Sequence, residues 1–362
     1  MSYEHLNAAP VTDDAFDPCA PLANGNAPPD FAPAQTTAAA PPTYLPLWRR
    51  GLVALLRWFD SGTAQESHHQ AAAASDERIA WLRVLPFAAM HLMCFGVIWV
   101  GFSWFALWTA VALFAIRMFA ITGFYHRYFS HKSFKTSRAA QFVFGLLGAT
   151  CVQRGPLWWA AHHRNHHRHA DTALDVHSPG LRGFFWSHMG WFLTDAGFRT
   201  DHKSIPDLVK FPELRWLDRL DTLVPIALAT ALFVLGEVLE RSAPALGTSG
   251  PQLLVWGFFI STIVLFHCAV TINSFAHLYG TRRFDTRDDS RNNWFLALVT
   301  FGEGWHNNHH FFPGAARQGF RWWEFDLTYY LLRVLAALGI VWDLKPVPAH
   351  ALSAATRERA PR

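Results

Sequence analysis

The sequence predicts an all-α integral membrane protein: four transmembrane helices in two hairpins, carrying a cytosolic helical cap that holds a histidine-rich dimetal site. Three observations predict it. Half of the chain is hydrophobic (51%) and only 16% is charged, with 17 Trp and 31 Phe, a balance that suits aromatic rings at a membrane interface. No residue from Val84 to Ile116 is formally charged, and a span needs roughly 20 apolar residues. The 20 histidines recur in boxes: His126 and His131 bracket Arg-Tyr-Phe-Ser, and His163-Arg-Asn-His166-His167 is matched by His306-Asn-Asn-His309-His310. Steps of three and four bring side chains to one helix face. Imidazole ligates iron, copper, nickel and zinc, and these box histidines exceed what one tetrahedral ion uses.

Residues 1–44, rich in Ala, Pro and Asn, bury too little surface to offset the entropy of ordering them and are expected to form a disordered tail. They lack the basic and apolar regions of a secretory signal. Residues 45–60 read as a short basic, aromatic helix, too short to span and suited to the membrane surface. A polar linker runs through Asp76. Spans are expected near 82–101 and 104–125, joined at Phe102-Ser103; Arg117 in the second should snorkel or face protein. Residues 138–160 contain Gln141, Gln153 and Arg154 and should be half-buried or interfacial. Further spans are expected near 222–240 and 252–274, with a loop through Ser249-Gly250. The amphipathic stretch Leu327–Trp342, with Arg333, should pack against the domain. The membrane domain is thus placed at 45–350 and a C-terminal tail at 351–362.

Charge gives the orientation. The net charge is only +4, but 13 Lys or Arg lie between His126 and Asp221, against Arg241 alone in the 241–251 loop and none at 102–103. By the positive-inside rule both termini and every box face the cytoplasm. The four cysteines (Cys19, Cys94, Cys151, Cys268) form neither a CxxC pair nor a disulfide framework.

His126 and His131 are five apart, about 140° around an ideal helix, which fits a helix end that loosens. Asn273 and His277, four apart, share a face past the fourth span. No box carries the carboxylates of ferritin-like di-iron bundles, so the ligands would be neutral. Asp175 and Glu303 are read as outer hydrogen-bond partners of ligands. For His162, His169, His177, His188 and His202 such a supporting role, or plain packing, outweighs direct ligation. His91 and His267 lie within spans, where packing or a helix–helix hydrogen bond is the default. His5, His68, His69 and His350 carry no role. Trp322-Trp323 and Tyr329-Tyr330 read as interfacial or packing aromatics.

These residues resemble those of the membrane-bound acyl-CoA desaturases, with wording most like the bacterial Δ9 members. The likeness rests on His126 to His131, Trp158 to His167, Asp175 to Ser178, Arg182 to Trp191, Asn273 to Gly280 and Gly302 to Pro313. It runs from about Trp81 to Pro346. The resemblance implies four transmembrane helices with a cytosolic cap, a bacterial inner membrane location, and a di-iron centre that uses O₂ as co-substrate. It implies nine histidine ligands: His126, His131, His163, His166, His167, His277, His306, His309 and His310, with Asn273 acting through a water. It implies removal of two hydrogens from neighbouring methylenes of a saturated acyl chain, leaving a cis double bond, in fatty acid biosynthesis. Gln153 and Trp159 would line the bend of the substrate tunnel.

Two positions depart from the family's animal members. Ala269-Val270 stand where those have Thr-Trp, which touches the double-bond position. Ala161-His162 stand where those have Arg-Asp, so CoA contacts do not carry over, and acyl-CoA and phospholipid both stay open as the carrier. Arg154, Arg164 and Lys203 suit phosphates, and a solvated positive-inside surface explains them equally. No haem-binding His-Pro-Gly-Gly, GxGxxG or cysteine cluster is found, so a separate ferredoxin, rubredoxin or cytochrome b5-like donor with its reductase is expected, and no nucleic acid. Two alternatives remain: a di-iron membrane hydroxylase, separable only by its products, and a metal transporter, which should place ligands near mid-membrane.

Overall fold

The computed structural model describes residues 79–354 and scattered positions between 46 and 62. The expected tail at 1–44, the polar linker beyond Gly62, and 355–362 lie outside the described residues. Of the expected surface helix, Trp48, Leu52, Leu55, Leu56, Trp58 and Phe59 are described and helical.

Helix α1 (Trp81–Cys94) is followed by a turn at Phe95-Gly96 and a short helix, Val97–Val100. A side chain at Gly96 would meet Val255 at 3.0 Å and the Met93 carbonyl at 2.9 Å, so the chain turns where a neighbour approaches closely. Gly101 reverses the chain at φ 70°. Ser103 then caps α2 (Trp104–Phe119), its hydroxyl accepting from the Ala106 amide. Helix α2 runs on as a π-helix, Ala120–Ser130. Helices α3 (Arg138–Ala149), α4 (Pro156–His169) and α5 (Pro212–Arg219) precede α6 (Leu223–Ser242). A second long π-segment, Leu253–Ile260, leads into α7 (Ser261–Leu278). Short helices α8 (Trp294–Val299) and α9 (His306–Phe311), then α10 (Leu327–Ala337) and α11 (Ala349–Ala354), complete the body. The one two-stranded ladder among the described residues pairs Lys135–Thr136 with Val341–Trp342.

Among the described residues three helices are long and apolar enough to cross a membrane: Trp104–Ser130, Leu223–Ser242 and Gly250–Leu278. They fall where the second to fourth spans were expected. The first expected span is a shorter apolar stretch, Val84–Val100, interrupted at Phe95-Gly96. Around the hairpin turn Trp99, Phe102 and Trp104 are exposed, the position aromatic side chains take at a bilayer surface. Inside, Ala106, Leu232, Leu253 and Phe258 bring α2, α6 and the second π-segment together.

Arg117 faces protein. Its guanidinium is buried, donating to the Thr150 carbonyl (3.3 Å) and to the hydroxyls of Thr262 (2.7 Å) and Ser261. The main core lies where the first π-helix meets α3, α4 and α5, around Tyr125, Phe129, Phe144, Leu157, Leu214 and Leu217. Residues 138–160 are packed into this layer. Helix α10 buries Leu332 in the same core. Helix α11 carries ordered packing past residue 350, with Ala351 buried beside Phe284 and Phe320.

Candidate metal centre

The first π-helix explains the five-residue spacing of the first box. Its hydrogen bonds close over five residues, and the His131 amide donates to the His126 carbonyl at 3.3 Å. That winding brings the two rings together edge to face, 4.9 Å apart, where an α-helix would splay them. Buried Arg164 braces the loosened end: it donates to the carbonyls of Phe129 (2.7 Å) and Ser130 (2.9 Å) and pairs with Asp207 (2.6 Å). Its charge is spent inside the fold, neither solvated nor free for phosphate.

The boxes do not converge on one point. The first box lies wholly in one nest, whereas the helices of the second and third boxes each divide their histidines between two nests. His126, His131, His163, His167 and His309 form the first, and His166, His277, His306 and His310 the second; within each, the ligand atoms lie within 4.8 Å of one another. Helix α4 gives its four-apart pair to the first nest and His166 to the second. Helix α9 does the reverse, with His309 in the first. The nests adjoin, the rings of His167 and His310 stacking at 4.4 Å.

Four carboxylates aim these rings. Asp175 accepts from His166 Nδ1 (3.1 Å), Asp171 from His277 Nδ1 (2.7 Å), Asp288 from His310 Nδ1 (2.8 Å), and Glu303 pairs with His126 Nδ1. A proton fixed on Nδ1 leaves the Nε2 lone pair facing the nest. Glu303 stands between Gly302 and Gly304. Gly302 has φ 121°, and a side chain there would meet Asp326 at 2.6 Å. Burial alone raises a carboxyl pKa, but His277, His166 and His310 outweigh it and hold Asp171, Asp175 and Asp288 well below the ordinary range. Burial and neighbouring imidazoles push His131, His163, His167, His306 and His309 well down, so they are neutral, the form that ligates. Burial lowers His310 to about 4. His166 goes the other way, Asp175 outweighing its burial.

The donor set fits metal ions. His309 Nε2 lies 3.0 Å from both His126 Nε2 and His167 Nε2, yet one Nε2 offers a single proton or a single lone pair. His310 Nε2 is buried and has no hydrogen-bond partner among the described residues. Cations in the two nests would satisfy these nitrogens together.

A cavity of about 700 Å³ reaches the nests from between the apolar helices. Gln153, Trp159 and Asn273 all line it, as do Ala269 and Val270. Trp159 stacks on His163 (4.9 Å) and donates its indole N–H to Gln153 at 3.4 Å. Val152 and Arg154 flank Gln153 with φ of 59° and 67°, a left-handed backbone costly for a β-branched residue. Arg154 lines the cavity and pairs with Asp221 at 2.6 Å, whereas Lys203 is exposed.

His162, His169, His188 and His202 enter neither nest. His177 sits beside His166 and Asp175. His91 and His267 hydrogen-bond across their helices (3.1 Å), and His267 continues to His188 (3.0 Å). Sequence reasoning placed Asp175 and Glu303 as outer partners and missed Asp171 and Asp288. The available signal was their density: His-Ala-Asp171 follows the second box, and Asp285 to Asp289 is acidic.

Comparison with known proteins converges on the same chemistry. The fatty acid desaturase family matches residues 102–344. An acyl-CoA 5-desaturase of Anemone leveillei is 35% identical over 288 residues, 76% of this chain and 84% of that protein. An sn-2 palmitoyl-lipid 9-desaturase of Nostoc sp. (strain 36) is 36% identical over 271 residues, 73% of this chain and 89% of its own. An sn-1 stearoyl-lipid 9-desaturase of Anabaena variabilis is 35% identical over 280 residues, 76% and 97%. With apolar helices, an apolar cavity and two histidine nests at its end, this chain belongs to the fatty acid desaturase family and is an oxidoreductase of lipid metabolism.

Proposed function

We propose that the protein inserts a cis-Δ9 double bond into a saturated C16 or C18 acyl thioester, acyl-CoA, at a di-iron centre that consumes O₂. The observation that carries this is the apolar cavity ending at both nests. Such a cavity suits an alkyl chain, and the way its wall holds that chain against the nests is what would select which methylenes react. The Δ9 position leans on the Nostoc and Anabaena relatives, whose names specify lipid 9-desaturation. The carrier divides the relatives, some acting on acyl-CoA and others on lipids. Between them we propose the thioester.

The nine nest histidines would hold two irons, with Asn273 contributing through a water. Bound iron supplies the oxidising power with O₂ that acid–base side chains lack against an unactivated C–H bond. The chain's own residues do the rest. Asp171, Asp175, Asp288 and Glu303 keep protons on Nδ1 and so point Nε2 inward. Trp159 and Gln153 shape the wall beside the first nest, and Phe87, Phe258 and Phe266 from the apolar helices exclude water from the chain's path.

Forming one double bond while reducing O₂ to two waters takes up two electrons and two protons. A separate ferredoxin, rubredoxin or cytochrome b5-like donor with its reductase would deliver the electrons. We place the stretch Val84–Val100 as the first of four crossings, its exposed Trp99 at the far interface, and the nests with both termini on the cytoplasmic side of a bacterial inner membrane.

The test is the fatty-acid profile of a bacterium expressing the protein beside its His306→Ala variant, with double bonds located by mass spectrometry. Added 16:1 and 18:1 acids bearing a Δ9 cis bond, absent in the variant, are expected. Hydroxy acids in their place would overturn desaturation, and a bond at another position would overturn Δ9.

A further inference from the structure

The two nests differ in what stands behind them. Asn307 lies between His306 and His309 and is fully buried. Its side chain turns to the loop 283–290. Oδ1 accepts the amides of Arg283 (2.8 Å) and Phe284 (2.7 Å), and Nδ2 donates to the Phe284 carbonyl (3.2 Å) and the Thr286 hydroxyl (3.3 Å). That hydroxyl and the Ser290 amide both donate to Asp288 Oδ1, at 3.1 and 3.0 Å. Asp288 Oδ2 is thereby left to His310 Nδ1. The next residue backs a second ligand: the Asp289 amide donates to Asp171 Oδ2 (2.8 Å), the same oxygen that accepts from His277 Nδ1.

One loop thus supports two of the four imidazoles of the second nest. The first nest is served differently. Glu303, behind His126, is held by Arg127 (3.0 Å) and Gln318 (2.9 Å), and neither hydrogen-bonds the loop among the described residues. Asn308 would be the wrong residue to single out. It accepts from Arg283 (3.1 Å) but also donates to the Gln318 carbonyl (2.9 Å), so it touches the supports of both nests.

We propose that Asn307 is a positioning residue for the second metal alone, acting through the loop 283–290 and Asp288; this rests on the dimetal reading above. The loop has independent anchorage, because Phe284 stacks on Phe311 at 4.0 Å and packs against Ala315 and Phe320. Removing the Asn307 amide therefore loosens Asp288 without unseating the fold.

The experiment is metal counting in the purified, detergent-solubilised protein loaded with ferrous iron, during titration with a chelator. Mössbauer spectra report whether one or two iron environments remain. Wild type is expected to hold two irons. Asn307→Ala, and independently Asp288→Asn, should keep one at chelator concentrations that leave wild type full, the affected position weakening about 10- to 100-fold, as when a ligand's outer partner is removed. Variants that keep both irons with wild-type resistance, or lose both together, would overturn the clamp. A wild type that never binds a second iron would instead fell the dimetal reading. Should Asn307→Ala fail to fold, Asp288→Asn, which retains the side chain's shape, decides the matter alone.

Discussion

The first nest hangs from the end of the long apolar helix Trp104–Ser130, while the second, which takes His277 from the end of another such helix, is gripped by loops that carry three carboxylates. His126 and His131 owe their approach to π-winding, to the Arg164 brace and to the packing of Tyr125 and Phe129. Behind them stands one carboxylate, Glu303, whose charge is shared with buried Arg127. The second nest has Asp171, Asp175 and Asp288 on three of its four rings, and none of the three has an Arg or Lys ion pair among the described residues. Identical ligands thus sit in unequal fields. The second nest carries more uncompensated negative charge and would hold a bound cation the more strongly, since opposite charges a few ångströms apart in a low dielectric favour each other strongly. The first depends on packing.

Glu303→Gln is the substitution expected to act most strongly on this contrast. An amide can still accept from Arg127, but it then turns a donor toward His126 Nδ1 and Gln318 Nε2. Arg127 loses a buried partner and keeps Asp326 (2.9 Å). Breaking a buried pair from one side costs roughly 3–5 kcal/mol. The expected outcome is an unfolding midpoint shifted to lower denaturant and loss of first-nest iron, with the second-nest signal retained. Equal loss from both nests would erase the distinction between them.

How much of this could be read from the chain follows the same divide. The boxes, their spacing and the three long apolar helices are local patterns, and the structure gathers all the expected histidines into the nests. The π-winding was not legible, because the carbonyls it frees are taken by Arg164 from another helix. The division of the second and third boxes between two nests depends on how α4 and α9 are set against each other in the fold, which spacing does not encode. Asp171 meets His277 across 106 residues of sequence, and nothing local marks that meeting. Arg164 looked like any cytosolic cation until the fold buried it. The break at Phe95-Gly96 reflects the neighbour Val255, again a tertiary cause.

Asp218 offers a perturbation that should not discriminate. It accepts from the Trp158 amide (2.7 Å) in the first turn of α4 and from the Thr200 hydroxyl (3.1 Å). Helix α4 feeds both nests. Burial raises the Asp218 carboxyl to about 6, the Trp158 amide offsetting part of the rise. Between the ordinary carboxylate value and about 6 the folded protein binds the proton and the unfolded chain has lost it. Stability conferred by this group therefore falls as pH rises through that window, by up to about 3 kcal/mol. Asp218→Asn should flatten the fall between pH 4 and 6, measured as unfolding midpoint against pH, with iron retention changed equally at both nests. A variant with wild-type pH dependence would show that Asp218 is not the titrating group.

Gly148→Ala is the smallest change and the one most selective for packing. A side chain at Gly148 would fall 1.9 Å from the Tyr125 ring, which is wholly buried and immediately precedes His126. Tyr125 has nowhere to withdraw, since Phe129 and Trp159 flank it at 6.1 Å each. Overpacking of this kind costs about 1–3 kcal/mol. The strain is delivered to the π-helix and so to the first nest, whereas Asp288 and its loop hydrogen-bond to Asn307, His310 and Asp171 and, among the described residues, not to the π-helix. The expected result is a modest loss of thermal stability together with a changed Mössbauer doublet for one iron, and a second doublet identical to wild type. If both doublets moved, the first nest would not be set by its own packing, and the two would have to be treated as one mechanically coupled site.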